Sequence, residues 1–418
     1  MAAAEARKFL VIGGGVVGAA SALRLQASGF AVTLIDPGDP RRGASFGNIG
    51  HIATEQVVPM ANPATLRRLP ALLFGAGGPL DFRWSDWPLW LPWSLRFLRA
   101  AGPAGTARGT QALMDLLRAP HAAWQALLAL AEAPADLVRD VGHYAVWMNA
   151  EAAKRGAESW RKMPLGSASV RDITADELAD LAAHLRNPPA GGVKFSGSGQ
   201  VAEPQGVRAA LLAAFARRGG AIEAGDVRVI APRADGAHAH LADGRTLEGE
   251  SALIAAGVWS GTLMRRLGAR APIIAERGYS IESAEHSWPA HLPPVVFEER
   301  ALVVSRFTSG LRASSFVEFG RAGVPPDARK WRRIERHLAE LGIAFSEAPD
   351  RWAGPRPTLP DYLPAIGRLK RAPNVFYAFG HQHLGLTLAA VTAELVEGLA
   401  LGREPPFDLS PFAIERFA

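Results

Sequence analysis

The stretch "KFLVIGGGVVGAASALRLQA", residues 8 to 27, does most to narrow what this chain can fold into. Residues 8–12 read as a short buried strand, Gly13, Gly15 and Gly18 follow in G-x-G-x-x-G spacing, and residues 16–27 continue with helical periodicity. "FAVTLID" then supplies a second strand ending at Asp36. A dinucleotide-binding unit needs this order of strand, glycine turn, helix and strand, because glycines let the backbone approach a pyrophosphate at the helix N-terminus. Gly13, Gly15, Val16, Val17 and Gly18 are therefore candidate cofactor contacts. Asp36 stands about 20 residues on, where a carboxylate accepts ribose hydroxyls. A purely structural turn is the competing reading, and the flanking strands and the acid weigh against it. The motif alone leaves FAD and NAD both open.

The 418 residues exceed what a single core comfortably organises, so a large domain with a second subdomain is expected. An apolar fraction of 48% and a charged fraction of 21% suit a globular chain rather than a disordered one. A net charge of +6 raises nucleic acid or an anionic membrane as partners. The basic residues are scattered, however, and "KWRRIERH" at 330–337 carries its own Glu335, so a solvated helix face is preferred and no nucleic-acid partner is expected. The chain contains no cysteine, which excludes disulfides, thiolate catalysis and cysteine-ligated metals and leaves redox chemistry to a bound cofactor. The first residues lack the pattern of a secretory signal, and no uncharged run is long enough to span a bilayer. A cytoplasmic protein, peripheral at most on the inner membrane, is the expectation.

Further segments decide between the nucleotides. "ASFGNIG" (44–50), "GQVAEP" (199–204), "LIAAGVWS" (253–260), "RGYS" (277–280), "WAGPRPTLPDYLPAIG" (352–367) and "GHQHLGLT" (380–387), together with the glycine turn, resemble the D-amino acid oxidase and glycine oxidase superfamily of flavoenzymes. The closest likeness is to the bacterial D-amino acid dehydrogenase branch. The resemblance implies an α/β fold: a Rossmann-like FAD-binding domain interleaved with an α+β substrate domain on a mixed or antiparallel sheet. The expected division assigns 1–60, 196–265 and 350–418 to FAD binding, and 61–195 and 266–349 to the substrate. It also implies FAD held noncovalently, with Ser45, Asn48, Gly257, Gly380, His381, Gly385, Leu386 and Thr387 as further contacts. The sequence departs from the family at Asp36, where Glu is frequent, at Gly47 and Ile49, where alanines are frequent, and at Gln382, where a smaller residue is frequent.

His381 and His383, two apart between glycines, raise a metal site, but no third ligand is indicated and none is expected. The resemblance also implies that the helix that follows points its N-terminus, a fixed positive end, at the flavin. For substrate, Arg356 matches the family's carboxylate-binding arginine, a role suited to its two-pronged donors. Tyr279, His51 and His383 are the other candidate catalytic residues. Arg312 could line the pocket or lie exposed on a strand. Pro88 and Pro92 argue against one helix through the Trp84, Trp87, Trp90 and Trp93 segment, which reads as an aromatic cover or as a membrane-facing surface. The implied activity is oxidation of a small amino or imino acid, with electrons passed to a membrane quinone or, alternatively, to O₂. A non-catalytic nucleotide-fold protein is a remote alternative.

Overall fold

A computed structural model describes residues 6–418. The apolar run Phe9–Ile12 becomes the central strand of a six-stranded sheet, and all four residues are buried. The strands run in the order 221–224, 31–36, 8–12, 251–254, 375–379 and 365–368, the first five parallel and the last antiparallel. A parallel sheet must be covered on both faces, and the alternation of side chains shows how. Phe9 and Val11 pack beneath the helices Val16–Ala27, Pro204–Arg217 and Gly385–Ala400, whereas Leu10 and Ile12 meet the small antiparallel sheet 227–249 and the helix Ser260–Arg266. The helix Gly385–Ala400 belongs to this core: Leu386, Ala389, Ala390 and Ala393 are buried with Ala19, Ala20 and Leu23 of the first helix. The first and last α-helices thus meet on one face of the sheet.

A second, nine-stranded sheet stands against the first, built mainly from antiparallel strands that include Ile274–Ser283, Leu302–Arg306, Leu311–Gly320 and Asp350–Thr358. The strand Asp350–Thr358, expected on the nucleotide side, is an edge strand of this sheet. One face is closed by the helix Ala328–Leu341 over Ile281, Val304, Ala313 and Phe316. Beneath that helix lies a charged network. Lys330 Nζ donates to Glu318 and Asp81, each at 2.6 Å, Arg277 also donates to Glu318, and the Tyr279 hydroxyl donates to Glu318 at 3.0 Å.

Trp84 lies in a short 3-10 turn, Trp84–Asp86, but from Trp87 on the tryptophan segment departs from expectation by forming one continuous helix, Trp87–Ala100. Pro88 occupies the first turn, where its missing N–H costs nothing, and Pro92 is carried by the burial of Trp93 and its neighbours. Trp90 and Trp93 donate their indole N–H to the carbonyls of Arg83 and Thr358, at 2.9 and 3.1 Å. Trp84 and Trp87 instead face solvent, at 78% and 56% exposure.

Candidate active site

The glycine turn has the shape that close approach requires. Gly13 has φ +108°, and a Cβ there would lie 2.5 Å from the Ala255 carbonyl oxygen. A Cβ on Gly18 would lie 1.8 Å from the Gly13 carbonyl oxygen, so neither position accepts a side chain. By contrast, a Cβ at Gly15 would meet only Ser45 Oγ, at 3.5 Å, and one at Gly257 nothing within 4 Å, so the space above the turn is open. The helix Val16–Ala27 begins with no side-chain hydrogen bond from its N-cap Gly15 and no acid in its first turn, which leaves the positive end of its dipole for an anion. Ser45 Oγ accepts from the Val16 N–H at 3.2 Å, and Asp36 accepts from Gly14 N and Gly38 N at 2.7 and 2.9 Å. These groups fit a dinucleotide pyrophosphate and ribose.

The loop after the second strand is held from the opposite sheet. Asn48 Oδ1 accepts from the Gly50 N–H at 2.6 Å, and buried Arg312 donates to the Asn48 carbonyl while pairing with Glu282 at 2.6 Å. Arg312 is therefore a clasp between the two layers, not an exposed strand residue. Gly47 has a steric cause: the Trp352 ring would lie 2.0 Å from a Cβ there, so the alanine frequent in the family has no room.

From the carboxyl-terminal side, Gly380 turns the chain with φ +79° against Leu359. His381 Nε2 meets Thr392 Oγ1 at 3.0 Å in the core, and burial pushes its pKa down to about 3. Gln382, at φ +46°, donates to the Tyr362 carbonyl at 2.8 Å. His383 Nε2 meets Gln56 Oε1; burial first, then the cation of Arg356, brings its pKa to about 3, so the ring is neutral at ordinary pH. The helix end behind it is anchored where Thr387 Oγ1 accepts from Ala53 N at 2.9 Å and the Leu386 carbonyl accepts from Trp124 Nε1 at 3.0 Å.

Arg356 projects from the strand Asp350–Thr358 opposite Glu276, its side chain 25% exposed and its Nη1 3.5 Å from Glu276 Oε1. Glu276 is buried and is held by Thr358 Oγ1 at 2.9 Å and the Tyr362 hydroxyl at 3.1 Å. Arg356 thus rests on a fixed carboxylate while part of its fork remains free. His51 lies nearby, 3.5 Å from the buried Glu55.

Tyr279 is placed elsewhere. Its register shifts at a bulge after Gly278, and its ring packs edge-on against Trp331 of the helix Ala328–Leu341, on the face away from Arg356. The hydroxyl bonds Glu318 and the Asp327 N–H, so the expectation that it binds substrate is corrected: it is a core residue. Glu276, Tyr362, Glu55 and Gln56 escaped the sequence reading. Strand alternation in "AERGYS" would have exposed the first error, because it sets Glu276 and Gly278 on one face and Arg277 and Tyr279 on the other.

The family model for DAO, FAD dependent oxidoreductase, matches residues 8–399. The chain belongs to the DAO family. It is 30% identical to a D-amino-acid oxidase of Bradyrhizobium diazoefficiens, with 99% of each chain covered. It is 32% identical to a D-amino acid dehydrogenase of Paramagnetospirillum magneticum, over 98% of this chain and 99% of that one. In fold it is similar to a glycine oxidase from Geobacillus kaustophilus, with a TM-score of 0.70, 22% identity and 98% of each chain covered. This DAO-family chain is an FAD-dependent oxidoreductase, and the open glycine turn, the helix start behind it and Asp36 have the chemistry to fit its nucleotide.

Proposed function

We propose that this DAO-family protein oxidises the C–N bond of a small D-amino or imino acid to the imine, which for an amino acid water then hydrolyses to the 2-oxo acid and ammonia and for a cyclic substrate is the cyclic imine itself. One observation carries the reading: Arg356 lies against Glu276, its Nη1 3.5 Å from Glu276 Oε1, yet keeps a quarter-exposed side chain within electrostatic reach of His383. A planar guanidinium in that setting suits a carboxylate in two-pronged contact, and fixing the carboxylate sets the orientation of Cα. FAD, when bound, supplies the two-electron oxidant that receives hydride from Cα. The chain's own contribution is orientation and charge. Arg356 binds, and the uncapped N-terminus of the helix Gly385–Ala400 places positive potential where negative charge accumulates. Gly13, Gly15, Val16, Val17, Gly18, Asp36, Ser45, Asn48, Gly257, Gly380, His381, Gly385, Leu386 and Thr387 form the FAD envelope in this reading. The nucleotide-binding part comprises 1–60, 196–265 and the residues after 358.

Anaerobic mixing of the FAD-loaded protein with D-alanine, D-proline and their L-enantiomers tests the assignment. Loss of flavin absorbance with the D-forms is expected, and no bleaching by any amino acid would sink it.

For the acceptor, we propose a membrane quinone. The helix Trp87–Ala100 presents Trp87, Leu91, Leu95 and Leu98 to solvent, with Arg96 and Arg99 alongside. Both acids between residues 61 and 101, Asp81 and Asp86, are engaged in ion pairs. A cavity of 490 Å³ opens at this helix, lined by Leu89, Pro92, Trp93, Arg96, Arg265 and Arg270. Exposed Trp and Leu beside unpaired Arg suit the headgroup depth of an anionic bilayer on the cytoplasmic side. O₂ is the second reading, favoured by the relative named an oxidase. Reoxidation of the reduced protein by air against a soluble quinone separates the two, and fast turnover in air alone would reject the quinone.

A further inference from the structure

His51 and Glu55 stand four residues apart, on the short strand His51–Ile52 and in the turn that follows it. Their side chains are 11% and 2% exposed, and His51 Nε2 lies 3.5 Å from Glu55 Oε1. That distance is a charge contact at the outer edge of hydrogen bonding. Neither His51 Nε2 nor Glu55 Oε2 has a hydrogen-bond partner among the described residues. Two acceptor-capable atoms buried side by side without donors are costly unless a ligand completes them.

The surroundings define what that ligand is. His143 stacks on Phe195 at 4.3 Å, donates or accepts through Nδ1 with Ser198 Oγ at 2.9 Å, and sits with its ring 4.4 Å from that of His51. It is neutral, because burial and His51 push it down to about 3. On the other side Gln56 meets His383, whose imidazole is within electrostatic reach of Arg356, Glu55 and His51 together. Arg356 and Glu55 are therefore both electrostatic neighbours of the one neutral imidazole that Gln56 holds. A site with a carboxylate-binding fork at one end and an unsatisfied carboxylate with an imidazole lone pair at the other is complementary to a zwitterion. An ammonium carries donors only, and at least two of them.

We infer that Glu55 and His51 form the amine-recognising half of the substrate site, facing the carboxylate-recognising Arg356, so that the enzyme selects zwitterionic α-amino or cyclic imino acids over the matching hydroxy acids. This rests on the amino-acid reading above. In it, the substrate ammonium donates to Glu55 Oε2 and to His51 Nε2, the latter in its Nδ1–H tautomer. A lactate-like hydroxyl, with one donor and no charge, leaves one acceptor unfilled and the carboxylate unneutralised. Discrimination comes from that unfilled partner.

The test compares D-alanine with D-lactate, in which a hydroxyl replaces the ammonium. The FAD-loaded wild type, Glu55→Gln, His51→Gln and Arg356→Gln are mixed anaerobically with each. Dissociation constants come from the concentration dependence of flavin reduction for D-alanine and of flavin spectral perturbation for D-lactate. Glu55→Gln is expected to weaken D-alanine roughly 10- to 100-fold, the range for losing a hydrogen bond to a charged group, and to leave D-lactate within about threefold. His51→Gln should weaken D-alanine selectively too, which keeps the inference testable should Glu55→Gln fail to fold. Arg356→Gln should weaken both ligands. Equal losses for both ligands in Glu55→Gln and His51→Gln, or an unchanged D-alanine constant, would overturn the inference while leaving the amino-acid assignment standing. One equivalent of tightly bound divalent metal in the wild type, absent from Glu55→Gln, would also overturn it, since the cation would then fill the place given to the ammonium. Failure of every D-amino acid to reduce the wild-type flavin would remove the functional reading itself.

Discussion

The guanidinium of Arg356 occupies the volume that a side chain on Gly278 would need: a Cβ at Gly278 would lie 2.5 Å from Arg356 Nη2. The strand Ile274–Ser283 leaves a gap there, and the neighbouring strand fills it with the proposed carboxylate anchor. Gly278→Val should displace the tip of Arg356 while leaving the sheet intact. The expected result is a fall in kcat/KM for D-amino acids of roughly 100-fold, as a small misplacement of a binding group produces, with FAD content unchanged. Steady-state kinetics beside flavin absorbance checks both halves.

Gly18→Val acts on the cofactor instead. With the Gly13 carbonyl oxygen 1.8 Å from the new Cβ, the turn cannot close against the first helix. The purified variant should be colourless or take up FAD only at large excess, as the ratio of flavin to protein absorbance will show. Wild-type flavin content in this variant would remove the glycine turn from the binding site.

Tyr279→Phe separates packing from catalysis. The hydroxyl joins Glu318 and the Asp327 N–H beneath the helix Ala328–Leu341. Its removal should lower stability by about 1–3 kcal/mol, the range for leaving buried partners unpaired. The anaerobic flavin reduction rate should remain that of the wild type. Chemical denaturation and rapid mixing on the same preparation give the two readings.

Acid should destabilise the protein through its buried histidines. Burial holds His143, His381 and His383 near a pKa of about 3 in the folded state, below the ordinary value of 6.5. The unfolded chain therefore binds more protons below pH 6.5, and the stability fully present above that pH is lost as pH falls toward about 3. At pH 5 each such histidine costs about 2 kcal/mol, from 1.5 pH units at about 1.4 kcal/mol each. Denaturation at pH 7.5 and pH 5 should show the loss, and His381→Gln should show a smaller one. An equal pH dependence in the variant would mean that His381 is protonated in the folded state.

Local patterns made much of this legible in the sequence. The strand, glycines and Asp36 lie within 29 residues, and their spacing alone dictates a βαβ start. The small-residue face of the helix Gly385–Ala400 was equally plain, because Ala389, Ala390 and Ala393 recur at helical spacing. What failed was long-range or depended on register. Tyr279 is an odd number of residues from Glu276 and Gly278 on a regularly alternating strand, so its side faces the helix Ala328–Leu341 and not Arg356. Pro88 and Pro92 suggested a break, but tertiary burial of Trp93 overrides a local penalty of about 3 kcal/mol. The seating of Arg356 on Glu276 joins residues 80 apart, and no local pattern announces it.

The isolated bridge between Thr358 and His381, with Trp93 bonded to the Thr358 carbonyl, has a mechanical meaning. Between residues 350 and 381 the backbone leaves the larger sheet, passes through the smaller one and returns to touch its own exit point. The two layers are stitched two residues from both Arg356 and His383, which opposes their swinging apart there like a clamshell. Entry of reactant and departure of product must instead rely on local yielding of surface loops and side chains.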